Sequence, residues 1–279
     1  MSSAASPEKE FTPLPRLTGA HSFRLGVTSY IYPADIIPNV EALASRVDDI
    51  QLVLFESADV SNLPSAETIA RMREISNETS VTYSVHFPID RKLGSESASE
   101  RTGMLDQILR IVDLTAPLAP SAYNLHIEGI DRTASPERVR QWQADTGPLL
   151  ARIAARIPDP SRVCVENLNF PYEWCEGFLE RFGFSVCMDF GHLRLYGTDW
   201  RAFAVRNLQR TRVIHFHGVH GSRDHVSLRC LDRGELRDFL DAIKFYSGIL
   251  TLELFDYDDA RTSIESLNEC LEKPATRDA

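Results

Sequence analysis

Arg212-Val-Ile-His-Phe-His-Gly-Val-His-Gly-Ser-Arg-Asp-His-Val-Ser-Leu228 holds four of the chain's eight histidines: His215, His217, His220 and His225. Val213, Ile214 and Phe216 give the stretch the branched, apolar character of a buried strand, and Gly218 and Gly221 end that strand in a loop. Strand side chains alternate faces, so His215 and His217 share one side, while His220 and His225 are expected to fold back over it. A lone strand histidine is ordinarily a packed, hydrogen-bonded core residue. Four so close together, with Asp224 among them, would each need a polar partner if buried, and a metal ion satisfies several at once.

Working outward, short apolar runs alternate with longer amphipathic ones eight times. The expected strands are 23–30, 50–56, 81–86, 122–127, 163–167, 185–189, 213–217 and 249–255. The expected helices are 34–46, 65–78, 100–118, 135–156, 172–182, 199–208, 233–246 and 261–271. Ser65, Ser135 and Asp199 stand as helix caps, with Pro136 at a first helical position. Eight strand–helix units between residues 23 and 272 are the count of an α/β fold of the (β/α)8 TIM-barrel type, which takes about 250 residues. A doubly wound open sheet has the same periodicity, but Gly-Val-Thr-Ser-Tyr stands where a dinucleotide-binding glycine fingerprint would follow the first strand. Residues 1–22 read as a flexible leader, 23–272 as a single barrel domain and 273–279 as a tail.

In such a barrel the C-terminal strand ends form the active face. His86 ends the third strand, His126 the fourth, Glu166 the fifth and Asp189 the sixth, with His192 three residues on. His215 and His217 end the seventh, with Asp224 and His225 in its loop, and Glu253 ends the eighth. Only His21 lies away from this face. Imidazoles mixed with carboxylates in this number exceed one tetrahedral zinc site, and they suit two or three divalent ions of zinc, manganese or iron. Such a cluster activates water and clamps both oxygens of a phosphate ester in displacement.

Composition narrows the partners. Thirty basic against 40 acidic residues give a formal charge of −10 without a basic run, which disfavours nucleic acid and anionic membranes. No apolar run of about 18 residues spans a membrane, and no signal peptide is evident. Five scattered cysteines without a Cys-x-x-Cys pair indicate neither a disulfide framework nor a zinc ribbon, and they fit a reducing cytoplasm. Nothing in the sequence sets an oligomeric state.

The order of strand-end residues resembles the xylose isomerase-like barrels, and within them the apurinic-site endonucleases, whose members hold a trinuclear zinc cluster. That resemblance, over residues 23–272, implies His86, His126, Glu166, Asp189, His192, His215, His225 and Glu253 as metal ligands. It departs at the seventh loop. The endonucleases carry Asp-x-His there, whereas Arg223, Asp224 and His225 run together here, which makes Asp224 the candidate Asp ligand. A narrower resemblance lies in Gly26-Val-Thr-Ser-Tyr-Ile-Tyr-Pro-Ala-Asp35, Val47-Asp-Asp-Ile-Gln-Leu-Val-Leu-Phe-Glu56 and Ile214-His-Phe-His-Gly-Val219, which look like the cobamide-remodelling phosphodiesterases. It implies hydrolysis of the nucleotide loop of an adenosylcobamide at the phosphate–ribose bond, giving adenosylcobinamide phosphate and an α-riboside. Glu166 or Glu253 would orient the attacking water, Tyr30, Glu56, Asn167 and Arg194 would contact substrate, and His217 would contact substrate or serve as a ligand. The alternatives are a sugar isomerase or epimerase, which pairs one metal with two acids, then an apurinic-site endonuclease, then a non-catalytic corrinoid- or metal-binding protein.

Overall fold

Alternation of buried side chains along eight short strands closes the sheet. A computed structural model describes residues 11–57 and 59–271. The strands are β1 (Arg24–Thr28), β2 (Asp49–Val53), β3 (Thr82–His86), β4 (Tyr123–Leu125), β5 (Val163–Glu166), β6 (Ser185–Asp189) and β7 (Thr211–His215), then a hairpin of β8 (Gly218–His220) and β9 (Arg223–Val226), then β10 (Ile249–Leu252). All but the hairpin pair in parallel into a closed barrel of order β1-β10-β7-β6-β5-β4-β3-β2. The helices are α1 (Ile36–Leu43), α2 (Ala66–Thr79), α3 (Ala98–Thr115), α4 (Pro136–Arg156), α5 (Glu173–Phe182), α6 (Phe190–Leu195), α7 (Trp200–Asn207), α8 (Arg233–Ala242) and α9 (Tyr257–Leu271). The α/β barrel expected from the sequence is the architecture observed.

The caps follow the sequence. Ser65 accepts from Thr68 N, Ser135 from Arg138 N, and Asp199 from Arg201 N and Ala202 N. The third long helix begins two residues earlier than expected because Ser97, not a residue near Glu100, caps it. Two elements lie in stretches read as loop: the six-residue α6 after β6, and the β8–β9 hairpin after β7.

The barrel has two apolar cores. Outward-facing strand residues such as Leu25, Leu52, Val85, Leu125, Val165 and Leu250 join the helices in one large cluster. Inward-facing Ala122, Cys164, Cys187, Val213 and Ile249 form a small separate plug in the lumen. Above and beside this plug the lumen turns polar. Buried Asp49 accepts from Ser84 Oγ at 2.6 Å, Ser121 Oγ at 2.7 Å and Thr82 Oγ1 at 2.5 Å. Gln51 and Asn124, also fully buried, point toward the mouth. Three hydroxyl donors oppose the upward push of burial on the Asp49 carboxyl, the larger influence.

One boundary is corrected. Residues 11–22 were expected within a flexible leader, yet Leu14 and Leu17 are buried, Leu17 N donates to Arg46 O at 2.7 Å, and Tyr257 Oη donates to Thr12 O at 2.6 Å. Phe11 packs edge-on to Tyr32, so this segment closes the barrel's flank as part of the packed unit. The first ten residues of the expected leader and the tail from 273 to 279 lie outside the described residues.

Candidate metal centre

The C-terminal strand ends bring five imidazoles and three carboxylates to one point. Glu166, at the end of β5 and 1% exposed, is the hub. Its Oε1 lies 3.1 Å from His126 Nε2 and 3.1 Å from His192 Nδ1, and its Oε2 lies 3.2 Å from His215 Nδ1 and 3.6 Å from His86 Nε2. Glu253 faces it from the eighth barrel strand, with Oε2 3.0 Å from His215 Nδ1 and 3.2 Å from His225 Nε2. Asp189 Oδ2 is 3.5 Å from His192 Nδ1 and 3.7 Å from His215 Nδ1.

His225 Nε2 and Glu253 Oε2 form a hydrogen bond, but the contacts around Glu166 Oε1 are close yet poorly formed as hydrogen bonds. Glu166 Oε1, His126 Nε2 and His215 Nδ1 are buried atoms without a hydrogen-bond partner. Ligands about 2.05 Å from a tetrahedral ion sit roughly 3.3 Å apart with their lone pairs aimed at the ion instead of at one another. The donor set therefore fits divalent metal. Glu166, His215 and His86 form one group of compatible ligand atoms, Glu166, Asp189, His215 and Glu253 a second, and Asp189, His217, His225 and Glu253 a third.

The far nitrogens point to the same use. His86 Nδ1 donates to Phe87 O at 2.8 Å, which leaves Nε2 as an inward lone pair. His215 Nε2 donates to Gln51 Oε1 at 2.8 Å and turns Nδ1 to the carboxylates, while Gln51 Nε2 donates to Glu253 Oε1 at 2.8 Å. His126 Nδ1 faces Glu128 at 3.4 Å, and His225 Nδ1 faces Asp224 at 3.1 Å. Imidazoles held by an outer acceptor with the opposite nitrogen free are the arrangement that fixes a metal-binding tautomer.

Electrostatics show a site that demands positive charge. Burial acts on His126, His192 and His225 to lower their pKa values, but the adjoining carboxylates outweigh it and carry them to about 9, about 10 and about 9. His215 is raised well above the usual value against burial, by Cys187, Glu253 and Glu166. Burial likewise pushes Glu166 and Glu253 upward, and the imidazoles beside them hold both well below the ordinary carboxylate range. Protons and metal cations compete for the same charge deficit.

His217 was expected to touch substrate or to serve as a ligand, and it stands in the third ligand group, set back from the opening. It is fully buried behind Asp189. The backbone N–H of His225 donates to His217 Nδ1 at 2.9 Å, and His217 Nε2 lies 3.2 Å from Asp189 Oδ1. Its ring stacks on that of His225 with centroids 4.2 Å apart, and it braces both residues. His225 itself is held at φ 51°, a strained left-handed value for a residue other than glycine. Asp224, expected as a ligand, sits at the outer nitrogen of His225 and stays outside all three ligand groups, 3.9 Å from His192 Nε2.

His220 was expected to fold over the cluster; it lies exposed near the hairpin tip instead, because the two-residue turn Gly221-Ser222 carries it outward. None of the other expected substrate contacts borders the cavity above the cluster, and each is engaged within the protein. Tyr30 Oη accepts from Asn62, Glu56 pairs with Arg110, and Arg194 pairs with Glu235 at 2.9 Å. Asn167 spends its amide on the backbone of Asp189 in both directions.

The residues that do line the mouth were missed in the sequence. A cavity of about 790 Å³ opens above the cluster, bordered by Phe55, Ile89, Asp90, Asp131, Tyr196 and Phe255. Ile89 and Phe255 are 56% and 46% exposed, unusual for large apolar side chains. The supporting Gln51 and Asn124 carried a sequence signal, a polar side chain at an inward position of an otherwise apolar strand, whereas loop residues such as Ile89 carried none.

A family profile described as a xylose isomerase-like TIM barrel matches residues 41–273. Among solved structures, a D-tagatose 3-epimerase-like protein is similar at 20% identity and TM-score 0.72, over 90% of this chain and 97% of the other. Endonuclease IV from Thermus thermophilus is similar at 19% identity and TM-score 0.63, over 90% and 100%. A protein of the same organism, solved after soaking with zinc chloride, is similar at 21% identity and TM-score 0.65, over 91% and 100%. No curated protein matches the sequence significantly. At these identities the structural likeness shows the fold.

Proposed function

The chain belongs to the xylose isomerase-like TIM barrel family, and from that premise we propose that its mouth is a metal-dependent phosphodiesterase site acting on the nucleotide loop of an adenosylcobamide. Cleavage at the phosphate–ribose bond would release adenosylcobinamide phosphate and an α-riboside. The observation that carries the reading is the crowding of four imidazoles around both oxygens of Glu166, with a fifth held by Glu253. One metal would leave several of these without a partner; two or three use them all.

Divalent ions of zinc, manganese or iron held there would activate a water and neutralise charge on the phosphate oxygens. Glu166 presents each oxygen to a different pair of imidazoles and would hold ions through both. Glu253, anchored by Gln51 through Oε1, turns Oε2 toward His215 and His225 and is the other carboxylate that would orient a water against the phosphorus. Asp189 completes the set, fixed by His217 and by accepting from His192 N at 2.6 Å. The broad, partly apolar border at Phe55, Ile89 and Phe255 suits the face of a corrin ring better than a free sugar. Carboxylates Asp90, Glu96, Glu128 and Asp131 around the same opening repel a polyanionic duplex, which disfavours an endonuclease. No helix among the described residues is long and apolar enough to cross a membrane. The substrate proposed is a small molecule met in the cytoplasm.

A sugar epimerase is the second reading, favoured by one observation. Glu166 and Glu253 face each other across His215 at 3.2 and 3.0 Å, the disposition of a proton-transfer pair. Anaerobic incubation of metal-quantified protein with an adenosylcobamide, followed by chromatography, decides between them. Cobinamide phosphate and free α-riboside, abolished by chelation, are the expected products. An intact cobamide with a metal-loaded protein overturns the proposal, and turnover of ketoses at one metal per chain establishes the epimerase.

A further inference from the structure

A second cavity, of about 680 Å³, opens at the opposite, N-terminal end of the barrel. It is lined by the strand starts Arg24, Thr211 and Ile249, by Arg210 and Arg212, and by Phe245. Three guanidinium groups and no carboxylate border it, in a chain whose acidic residues outnumber the basic by 40 to 30.

The local charge is only partly balanced. Arg24 donates to Thr82 and faces the enclosed Asp49 at 3.8 Å, which accounts for its charge. Arg212 spends only Nε, donated to Ser121 O at 2.8 Å, and leaves both terminal nitrogens free. Among the described residues neither Arg210 nor Arg212 takes part in an ion pair; Asp159, which pairs with Arg162 at 3.6 Å, feels the Arg212 charge only from beyond ion-pair distance. The hydroxyls of Ser121, Ser185 and Thr211 already donate inside the protein, so the guanidinium groups are the charged donors left for a ligand. At the cleft's edge Phe245 is 88% exposed, with Lys244 Nζ 5.3 Å over one face of its ring.

Unpaired guanidinium groups take a phosphate through forked, charge-assisted hydrogen bonds. A volume within the roughly 300–1,000 Å³ of small-molecule sites exceeds what phosphate alone fills, and an exposed aromatic ring offers a planar group a stacking surface. We propose that this cleft binds a phosphorylated small molecule with a planar body, the phosphate on Arg210 and Arg212 and the planar group on Phe245. The site is separate from the metal centre and independent of the reaction assigned to it.

Titration calorimetry of the full, chelator-treated chain with AMP and with inorganic phosphate tests this. AMP should bind more tightly than phosphate. Arg210→Gln with Arg212→Gln should weaken AMP at least tenfold, and Phe245→Ala should remove the advantage of AMP while leaving phosphate binding in place. Arg210→Gln alone, whose side chain holds no internal bond, replaces the double variant if that one melts early. His126→Ala, altered only at the mouth, should bind AMP as the parent does. Absence of AMP binding at millimolar concentration, equal affinity in the arginine variants, or loss in His126→Ala overturns the proposal.

Discussion

Gln51 shows how one side chain outside the ligand set governs it. Its amide accepts the proton of His215 and donates to Glu253, so it fixes the tautomer of one candidate ligand and the rotamer of another. Gln51→Leu keeps the volume and removes both bonds. Metal affinity, read by competition with a chelating indicator, should fall about 10–100-fold, and unchanged affinity would remove Gln51 from the site. The imidazoles also predict a pH dependence for the metal-free protein. His126, His192 and His225 have folded pKa values near 9, 10 and 9, above the unfolded value of about 6.5. Their contribution to stability is therefore complete below about pH 6.5 and is lost as pH rises through 9 to 10. The depressed carboxylates Glu166 and Glu253 act oppositely, contributing above about pH 4.3 and failing as pH falls below it. Thermal melts of chelated protein should peak between about pH 5 and 6.5 and decline toward pH 10; a melting temperature that rises over that interval would contradict the assigned charges.

At the scale of elements, the legible parts were those with a period. Apolar runs with a strand-end His, Glu or Asp gave six barrel strands and the ligands upon them, and Ser65 and Ser135 marked helix starts to the residue. The six-residue α6 was missed because fewer than two turns are too short to show a helical repeat. The hairpin was missed although Gly221-Ser222, with Gly221 at φ 63°, is a two-residue turn signal, because its flanking strands mix His, Arg and Asp and lack apolar alternation. Both short elements meet at the site. Gly191 in α6 lies against the His217 ring, where a Cβ would overlap the imidazole. Gly191→Ala should therefore displace His217 from Asp189 and His225, costing about 1–3 kcal/mol and lowering metal occupancy. Denaturant melts and metal analysis read the two effects, and a variant with the parent's stability and full occupancy would show that α6 is free to shift.

Over the whole molecule, the barrel separates two polar ends by the small plug of Ala122, Cys164, Cys187, Val213 and Ile249. Which end is which was legible, since seven histidines read as lying beyond strand C-termini cannot sit at the other end of a parallel barrel. The width of the mouth and the arginine cleft were not legible, because each is assembled from loops distant in sequence, such as those bearing Phe55, Ile89 and Phe255. The same architecture sets the global effect of metal. Glu166, Asp189 and Glu253 are all at least 97% buried, and without a cation they must be balanced by protons drawn from solvent. An ion that binds only the folded chain stabilises it by about 2.7 kcal/mol when present at 100 times its dissociation constant. For a chain of 279 residues, with an unfolding entropy of about 2.1 cal/mol/K per residue, this corresponds to a rise of roughly 5 °C in Tm. Because metal replaces protons at the imidazoles, the gain should be larger at pH 8 than at pH 6. Scanning calorimetry of chelated and metal-loaded protein at both pH values checks this, and equal melting temperatures throughout would mean that the cluster holds its charge with protons alone.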